Sequence, residues 1–327
     1  MSISIEKISG VAFLPFPEMD GILKDELKER FSFSIENAVS YGELLYIPDY
    51  NAKNSDGTFK VPYFCRSAML EPFILKFDSI GEAAVELKKI QRSWASCSST
   101  CFRRSALIQE KLPYINFKPK TFPVKLPASE IGLFCLLDKN MMIASAKTSS
   151  PLPAGKISFI EDHENPPSRA YLKIQESLSV ADSIFGCGLP SDSSRCFEAG
   201  ACPGGWTYVL VNLGAKVFAV DRSELVPSLM KNPLVEFLAH DAFTLKPESL
   251  GEFDWVFSDV ICYPERLLEW IKMWLKSGKT KKMICTIKMQ GKTDWNLISK
   301  FEEIPDSKVV HLNYNKHELT FIHCQKD

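Results

Sequence analysis

The second half of the chain alternates short apolar runs with amphipathic segments, and this alternation constrains the fold more than any other feature. The runs that predict strands are Arg195–Gly200, Lys216–Asp221, Val235–Asp241, Phe253–Asp259 and Lys281–Lys288. Helices are predicted at Trp206–Asn212, Pro264–Leu275 and Asp294–Phe301. Strands that alternate with helices form a parallel sheet covered by helices. Two last runs, Val309–Asn315 and Glu318–Cys324, predict a β-hairpin around Lys316 and His317.

The first half predicts a smaller α+β domain. Strands are predicted at Val11–Leu14, Glu43–Ile47, Ile131–Leu137 and Met141–Ser145, and helices at Met19–Phe31 and Ser79–Ala95. Ser79 and Glu82 form the capping box that begins a helix. The segment Pro151–Pro167 is rich in Pro, Gly, Ser and acid, as linkers are. A chain of 327 residues is long enough for two domains, which we place at 1–160 and 161–327.

The chain shows no sign of export, membrane insertion or metal binding. Met1–Gly10 has no apolar stretch behind a positive charge, and no apolar run is long enough to span a bilayer. We therefore expect a cytoplasmic protein that does not enter a membrane. Its ten cysteines should then be reduced thiols. Cys97 and Cys101 have neither a second cysteine pair nor a nearby histidine, so we expect no metal site.

A glycine-rich turn follows the first predicted parallel strand. The sequence FEAGACPGGWT, from Phe197 to Thr207, lies between that strand and a helix. Ligands of open α/β sheets bind beyond the carboxyl ends of the strands. Glycines there let the backbone turn tightly and approach a ligand. Asp221, at the end of the second strand, is placed to accept hydrogen bonds from ribose hydroxyls, and Asp241 is placed to contact an adenine edge.

Two cofactors are compatible with such a turn. A dinucleotide usually requires G-x-G-x-x-G, whereas the spacing here is G-x-x-x-G-G with Pro203 inside. S-adenosylmethionine fits better, because it needs a loop around its amino-acid end and an acid for its ribose. A turn that binds no ligand is the remaining alternative. The predicted cofactor-binding residues are Glu198, Gly200, Ala201, Cys202, Pro203, Gly204, Gly205, Trp206, Asp221, Asp241 and Asp259.

Four charged residues are predicted to meet at the same edge of the sheet. Asp259 and Lys288 end the fourth and fifth strands, Glu318 begins the last strand, and Lys173 lies on a helix before the glycine turn. Any one of them alone is more simply interpreted as a surface charge. The four in this order match a known pattern.

The region from about 166 to 327 resembles the FtsJ/RlmM-like ribosomal RNA 2'-O-ribose methyltransferases. PSRAYLKIQE, GACPGGWT, FSDV, TIKM and HELT are each similar to a motif of that family. The resemblance implies a Rossmann-like class I S-adenosylmethionine-dependent methyltransferase fold with a final β-hairpin, and a catalytic set of Lys173, Asp259, Lys288 and Glu318. The RlmM-type branch is most similar, which implies a cytidine ribose of large-subunit ribosomal RNA as the target. Glu198 stands where many members have Asp.

The chemistry of such a reaction explains why these residue types are needed. A ribose hydroxyl is a very weak acid, so its proton must leave as it attacks the methyl group. A lysine accepts a proton only in its neutral form, which burial and a second ammonium favour. We expect Lys288 to take the proton and Asp259 to orient it. Lys173 and Glu318 should hold the hydroxyl in line.

The net charge of −1 excludes a uniformly basic protein, but the charge is unevenly distributed. Between residues 88 and 125, nine Lys or Arg face a single acid, Glu110. Several of them alternate with Phe102, Tyr114 and Phe117, which suits a surface that contacts phosphates and stacks on bases. A solvated surface balanced by acids from elsewhere is the alternative. The predicted RNA-binding residues are Arg103, Arg104, Lys118, Lys120 and Arg169.

Two other functions remain open. One is a methyltransferase of the same fold that acts on a small molecule or a protein, and the other is a non-catalytic RNA-binding or ribosome assembly factor. Base N-methylation is disfavoured, because the Asp/Asn-Pro-Pro-aromatic motif is replaced by Asp259-Val260-Ile261-Cys262.

Overall fold

A computed structural model describes residues 3–325, which divide into two compact units. The first unit runs to Pro119 and resumes over Leu126–Ser158. The second unit consists of Lys120–Lys125 and the chain from Phe159 onward. Lys120–Lys125 belongs to the second unit because its backbone pairs with Phe159 in a parallel bridge and Phe122 packs edge-on against the Phe159 ring.

The first unit has two antiparallel-rich sheets and three helices among its described residues. Its elements are β1 (Ser4–Lys7), β2 (Val11–Pro15), α1 (Asp20–Glu29), β3 (Val39–Tyr41), β4 (Leu44–Ile47), β5 (Cys65–Met69), β6 (Phe73–Lys76), α2 (Ile80–Ile90), β7 (Trp94–Ser96), α3 (Phe102–Lys111), β8 (Gly132–Asp138) and β9 (Met141–Ser145). The strand orders are β1-β6-β9-β8-β7 and β3-β4-β2-β5. The predicted α+β class is confirmed.

The five-stranded sheet of this unit is buried on both faces. Side chains alternate along a strand. Phe134 and Leu136 of β8 therefore join the core under α2 and α3, and Leu133 and Cys135 join a second core that includes residues of β2 and β4. The capping box of Ser79 and Glu82 is present at the start of α2. The predicted helix Ser79–Ala95 is too long, however, because β7 occupies its last residues and pairs with β8.

The second unit is a seven-stranded sheet covered by helices. Its elements are α4 (Ala170–Phe185), β10 (Arg195–Ala199), α5 (Gly205–Asn212), β11 (Lys216–Asp221), α6 (Pro227–Met230), β12 (Val235–Ala239), α7 (Pro247–Leu250), β13 (Trp255–Ser258), α8 (Pro264–Ser277), β14 (Lys282–Ile287), α9 (Trp295–Glu302), β15 (Ser307–Val310) and β16 (Leu319–Cys324). The strand order is β12-β11-β10-β13-β14-β16-β15. The five strands β10 to β14 are parallel to one another, and β16 is antiparallel to both of its neighbours, β14 and β15. This confirms the predicted Rossmann-like fold with a final hairpin.

Large aromatic side chains fill the core on one side of this sheet. Phe197 of β10 lies 5.0 Å, between ring centroids, from Trp274 of α8 and 5.4 Å from Phe253. Phe197 and Trp274 are both completely buried. Aromatic side chains remove the largest areas from water and prefer these edge-on or tilted arrangements. The core therefore holds α8 against the sheet and fixes the strand ends that carry the polar residues.

The final hairpin differs from the prediction in its connection. Val310 pairs with Thr320, so eight residues, 311–318, connect β15 to β16 instead of a tight turn at Lys316 and His317. The predicted strand Val309–Asn315 is wrong beyond Val310. Backbone amides of the connection bond to a side chain of α4 instead of to a neighbouring strand.

Three further properties concern residues 3–325 alone. No helix there is both long and apolar enough to cross a membrane. No group of three or more His, Cys, Asp or Glu side chains in that range has the geometry to hold a metal ion. All ten cysteines are free thiols.

Candidate active site

The order in which strands are added to the sheet of the second unit reverses at β10. The chain passes from β10 to β11 on one side, and β13 then pairs with the other side of β10. The helices that follow these strands cross opposite faces of such a sheet, so a crevice opens beyond the carboxyl ends of β10 and β13. The glycine turn and Asp259 both lie there.

The backbone of the glycine turn requires glycine. Gly200 has φ +78°, and a Cβ atom there would lie 2.6 Å from Cγ2 of Val260. Gly204 has φ +112° and would clash with Leu229, while Gly205 would clash with Ser168. Left-handed φ and close contact both exclude larger residues. The turn is therefore held tightly against the residue that follows Asp259.

Asp221 ties the turn to the end of β11. Its carboxylate accepts the backbone amide of Cys202 at 3.0 Å and that of Ser223 at 3.1 Å. Cys202 and Pro203 are exposed at the tip of the turn, while Ala201 is buried. A half-exposed carboxylate with part of its acceptor capacity used by amides is oriented and can still accept further hydrogen bonds.

Asp241 follows β12, the strand next to β11, and has more hydrogen-bond and ion-pair partners than Asp221. Its carboxylate accepts the amide of Phe243 at 3.0 Å and pairs with Arg222 at 2.8 Å and with Arg266 at 3.4 Å. Burial opposes ionisation of Asp241, but these hydrogen bonds and guanidinium groups together hold its pKa below the usual value. Asp241 therefore has a structural role, because it joins the segment after β12 to Arg222 and Arg266.

Two predicted cofactor-binding residues lie beneath the turn. Trp206 is 2% exposed and packs edge-on against Phe257 of β13. Glu198 of β10 is also 2% exposed, and its carboxylate accepts the hydroxyl of Thr207 at 2.7 Å. Burial, together with the nearby Asp259 and Asp221 carboxylates, raises the pKa of Glu198 to about 8 against the hydrogen bond from Thr207. Both side chains support the turn from inside.

The four predicted charged residues come from four elements and meet in one cluster. Nζ of Lys173, on α4, lies 2.7 Å from Oε1 of Glu318 and 3.4 Å from Oδ1 of Asp259. Nζ of Lys288 lies 3.1 Å from the same Oδ1 and 2.7 Å from the backbone oxygen of Asp259. Asp259 follows β13, Lys288 follows β14 and Glu318 precedes β16. We call these four residues the charged cluster.

The charged cluster is largely withdrawn from water. The exposed fractions of its side chains range from 10% for Lys173 to 23% for Lys288. Burial alone would raise the pKa of Glu318, but the Lys173 ammonium, by charge and by hydrogen bond, holds that pKa below its usual value. Charges taken out of water persist only when they are paired, and the two ammonium groups here match two carboxylates.

Sequence reasoning overlooked a residue next to this cluster. Glu176 lies on α4 one turn after Lys173 and is 2% exposed. Its carboxylate accepts the backbone amide of Asn313 at 2.9 Å, the side-chain amide of Asn313 at 2.8 Å and the backbone amide of Tyr314 at 3.0 Å. The available signal was its spacing of three from Lys173, which places both on one helix face.

The predicted RNA-binding residues are divided between the two units. Arg103, on α3, and Lys118 are exposed in the first unit. Arg104 beside them donates from Nη2 to the backbone oxygen of Asp78 at 3.1 Å. Lys120 and Arg169 belong to the second unit, where Arg169 pairs with Glu161 at 2.9 Å.

Exposed aromatic side chains lie close in sequence to the basic residues Arg103 and Lys118. Phe102 is 72% exposed, Tyr114 79% and Phe117 52%. Large apolar side chains are costly to leave in water. Sequence reasoning did not foresee that Phe102–Lys111 forms a helix, α3, which carries Phe102 and Arg103 in its first turn.

Comparison with known proteins identifies the second unit. The model of the FtsJ-like methyltransferase family matches residues 166–294, which include the glycine turn and three of the four charged-cluster residues. The ribosomal RNA large subunit methyltransferase M of Hahella chejuensis is 30% identical over 218 residues, or 65% of this chain and 51% of that protein. The protein of the same name from Xylella fastidiosa is 34% identical over 131 residues, or 40% of this chain and 37% of that protein.

The chain thus spans about half the length, or less, of the curated relatives it matches. Among solved structures, a putative ribosomal RNA methyltransferase from Plasmodium falciparum covers 48% of this chain and 96% of its own, with 17% identity and a TM-score of 0.34. The fold assignment rests on the strand order of the sheet. Over residues 166–294, the second unit of this chain is therefore similar to the FtsJ-like methyltransferase family, and the strand order of its sheet is that of a Rossmann-like methyltransferase fold.

Proposed function

We propose that this chain is an S-adenosylmethionine-dependent methyltransferase that modifies a ribose 2'-hydroxyl of ribosomal RNA. One observation supports the proposal above all: two lysines and two carboxylates from four separate elements converge beside the glycine turn. The residues of this cluster lie up to 145 positions apart in the sequence. Apolar residues would stabilise such a site equally well, so the charges are better explained by a chemical role.

The residues around the turn fit S-adenosylmethionine. When bound, this cofactor supplies a methyl group on a positively charged sulfur. Gly200 and Gly204 allow the turn to pack against Val260 and Leu229 and so fix the loop that would surround its amino-acid end. Asp221 would offer carboxylate oxygens to its ribose. Asp241, which pairs with Arg222 and Arg266, would contact the adenine of the cofactor.

Lys288 acts as the general base in this proposal. Asp259 holds the Lys288 amine by its carboxylate and by its backbone oxygen, at 3.1 Å and 2.7 Å. In its neutral form, Lys288 would remove the proton of the 2'-hydroxyl, while S-adenosylmethionine would supply the methyl group to that oxygen and leave as the neutral thioether. The proton then passes from Lys288 to water.

Lys173 and Glu318 position the nucleophile. Their mutual contact at 2.7 Å fixes both side chains at the edge of the cluster. One offers N–H donors and the other carboxylate acceptors, so together they can hold the lone pairs and the proton of a hydroxyl in a defined direction. Alignment of a bound reactant in this way supplies a large part of many enzymatic rate enhancements.

The relatives' names support large-subunit ribosomal RNA as the substrate class. A cytidine ribose is the target that the family resemblance implies. Arg103 and Lys118 supply phosphate contacts, and Phe102, Tyr114 and Phe117 supply stacking surfaces for unpaired bases. Arg104 and Arg169 contribute less in this proposal, because they already bond to Asp78 and Glu161. Lys120 lies in the second unit, whereas Arg103 and Lys118 lie in the first.

Substitution of the general base tests the proposed chemistry. Lys288→Ala should lower methyl transfer by about 100- to 10,000-fold, which is the range that general acid–base catalysis contributes. Its dissociation constant for S-adenosylmethionine should stay within a factor of about three. Transfer of tritiated methyl to ribosomal RNA and calorimetric titration of the cofactor provide the two measurements.

Lys282→Ala is the matched control for that variant. Lys282 begins β14, the strand that Lys288 follows, but its ammonium donates to the backbone oxygen of Cys187 at 2.8 Å and not to the charged cluster. Its loss should leave the turnover number unchanged. Full activity of Lys288→Ala would refute its role as the base.

Charge reversal tests the proposed RNA surface. Arg103→Glu combined with Lys118→Glu should raise KM for RNA and reduce the dependence of RNA affinity on salt, because two phosphate contacts are lost. Arg104 is left intact because its bond to Asp78 supports the fold. Lys28→Glu, at an exposed position of α1, is the control and should leave KM unchanged. Equal KM values for all three proteins would exclude this surface.

A further inference from the structure

One buried carboxylate joins the helix of Lys173 to the connection that leads to Glu318. Glu176 accepts three hydrogen bonds, at 2.8–3.0 Å, from Asn313 and Tyr314 in the connection 311–318. Lys173, three residues earlier on α4, pairs with Glu318 at 2.7 Å. The helix therefore holds the connection at two points, one in its middle and one at its end.

Tyr314 also contacts Phe159, because its hydroxyl accepts the Phe159 backbone amide at 2.9 Å and the two rings stack. Two other bonds lie within the connection. Nε2 of His311 lies 2.9 Å from the backbone oxygen of Lys316, and the side-chain amide of Asn315 donates to the backbone oxygen of Glu318 at 3.1 Å. These bonds set the shape of the connection but do not tie it to α4. Glu176 and Lys173 provide that tie, so the position of Glu318 relative to Lys173 depends on both.

A carboxylate is the side chain that this arrangement requires. All three groups that meet Glu176 are N–H donors, and an ionised carboxylate has acceptors on both oxygens. An amide would turn its own N–H groups toward at least one of the donors. Burial raises the pKa of Glu176 to about 7 in spite of the three hydrogen bonds. An apolar side chain at this position would leave these three donors without an acceptor, which is costly away from water.

We propose that Glu176 is a positioning residue that holds the connection 311–318 so that Glu318 meets Lys173 in the charged cluster. This inference rests on the proposed methyltransferase function, but the contacts that it invokes can be tested without activity. It predicts that loss of the anchor slows methyl transfer and leaves cofactor binding intact, because the glycine turn lies on other elements.

Glu176→Gln is the variant of choice because it keeps the size and removes the charge. Its turnover number should fall by roughly 10- to 100-fold, the effect of a reacting group displaced by about 1 Å. The dissociation constant for S-adenosylmethionine should stay within about a factor of two to three. A fall in the turnover number without weaker cofactor binding distinguishes misplacement from general loss of the folded protein.

Glu26→Gln is the matched control. Glu26 is a buried carboxylate of the first unit that accepts the amides of Tyr63 at 2.9 Å and Phe64 at 3.2 Å. Its pKa is likewise raised by burial, to about 6. Its substitution should lower the stability of its unit to a similar degree and leave the turnover number unchanged.

A double-mutant cycle decides whether Glu176 acts through Glu318. In a Glu318→Gln background, adding Glu176→Gln should lower the remaining turnover by less than about twofold, since the residue that it positions is already lost. Equal losses in both backgrounds would show a merely structural role and overturn the inference.

Amide hydrogen exchange provides the readout that is independent of activity. Glu176→Gln should speed exchange at Asn313 and Tyr314 by more than about tenfold, while Glu26→Gln should not. If wild-type protein methylates no RNA, the proposed function fails, and the exchange rates still decide whether Glu176 anchors the connection. Unchanged exchange at both amides in Glu176→Gln would overturn the positioning role.

Discussion

Asp259 is the residue on which the charged cluster depends most. One oxygen of its carboxylate lies within 3.4 Å of two ammonium groups, and its backbone oxygen bonds to one of them. Without that carboxylate, Lys173 and Lys288 would face each other in a site that is largely withdrawn from water, which is strongly unfavourable. In the proposed reaction, Asp259 therefore both orients the base and offsets the positive charge around it.

Glu198 should make the stability of the second unit depend on pH. Its folded pKa of about 8 lies above the unfolded value near 4.5, so the folded state binds more protons in between. The stability from this group is complete below the unfolded pKa and is lost as pH rises to about 8, at up to about 1.4 kcal/mol per pH unit. We expect the free energy of unfolding to fall between pH 7 and pH 8.

Glu198→Gln isolates this contribution because it is neutral at every pH. The variant should show a flatter pH dependence than wild type over the same range, where the shifts of His311 and His323, both toward lower pKa, no longer matter. Denaturant unfolding followed by tryptophan fluorescence is suitable, since five of the six tryptophans lie in the second unit. Parallel pH profiles of the two proteins would contradict the assignment.

Three residues of the charged cluster were predictable because each lies at the end or the start of a strand that the sequence pattern identifies. A charge at the end of a parallel strand lies at the ligand-binding edge whatever the details of packing. Glu176 was not predictable in this way, because its partners lie 137 and 138 residues away in a segment without regular structure. The burial of Trp206 and Glu198 could not be predicted either, because the motif gives their order along the chain but not the face of the sheet or helix on which they pack.

At the level of elements, local sequence signals predicted where a helix begins better than where it ends. The capping box at Ser79 correctly began α2, and Asp294 caps α9 by accepting the amide of Leu297. The end of α2 was wrong because Trp94, which fits the apolar face of a helix, instead pairs with Gly132 in a sheet. The hairpin connection was wrong because Glu176 binds amides that a longer strand would have used. Both errors arise from contacts that are distant in sequence.

The glycine turn should tolerate no side chain at its first glycine. Gly200→Ala adds a Cβ atom 2.6 Å from Val260, beside Asp259, at a residue with φ +78°. We expect a loss of unfolding free energy of roughly 1–2 kcal/mol from the left-handed backbone and about 1–3 kcal/mol from overpacking. Methyl transfer should also fall, because Val260 must move. Denaturant unfolding and the transfer assay measure both effects.

Gly278→Ala separates the two contributions. Gly278 ends α8 with a similar φ of +67°, but a Cβ atom there meets nothing within 4 Å. It should lose only the backbone part of the stability and none of the activity. Equal effects of the two substitutions would show that the contact with Val260 is unimportant.

At the scale of the whole molecule, the net charge of −1 conceals an uneven distribution of charge along the chain. The basic residues around α3 belong to the first unit, whereas the charged cluster belongs to the second. Length and the segment Pro151–Pro167 predict two domains with a boundary near residue 160. The membership of Lys120–Lys125 in the second unit was not predicted, because it depends on a bridge to Phe159 that is 39 residues distant.

The position of the transferred methyl group tests the central claim most directly. Wild-type protein should transfer tritiated methyl from S-adenosylmethionine to unmodified ribosomal RNA. After alkaline hydrolysis, the label should remain in dinucleotides, because a methylated 2'-oxygen cannot attack the adjacent phosphate. The account predicts one labelled dinucleotide species from large-subunit RNA and none from Lys288→Ala. Label recovered only in mononucleotides would place the methyl group on a base and contradict the account.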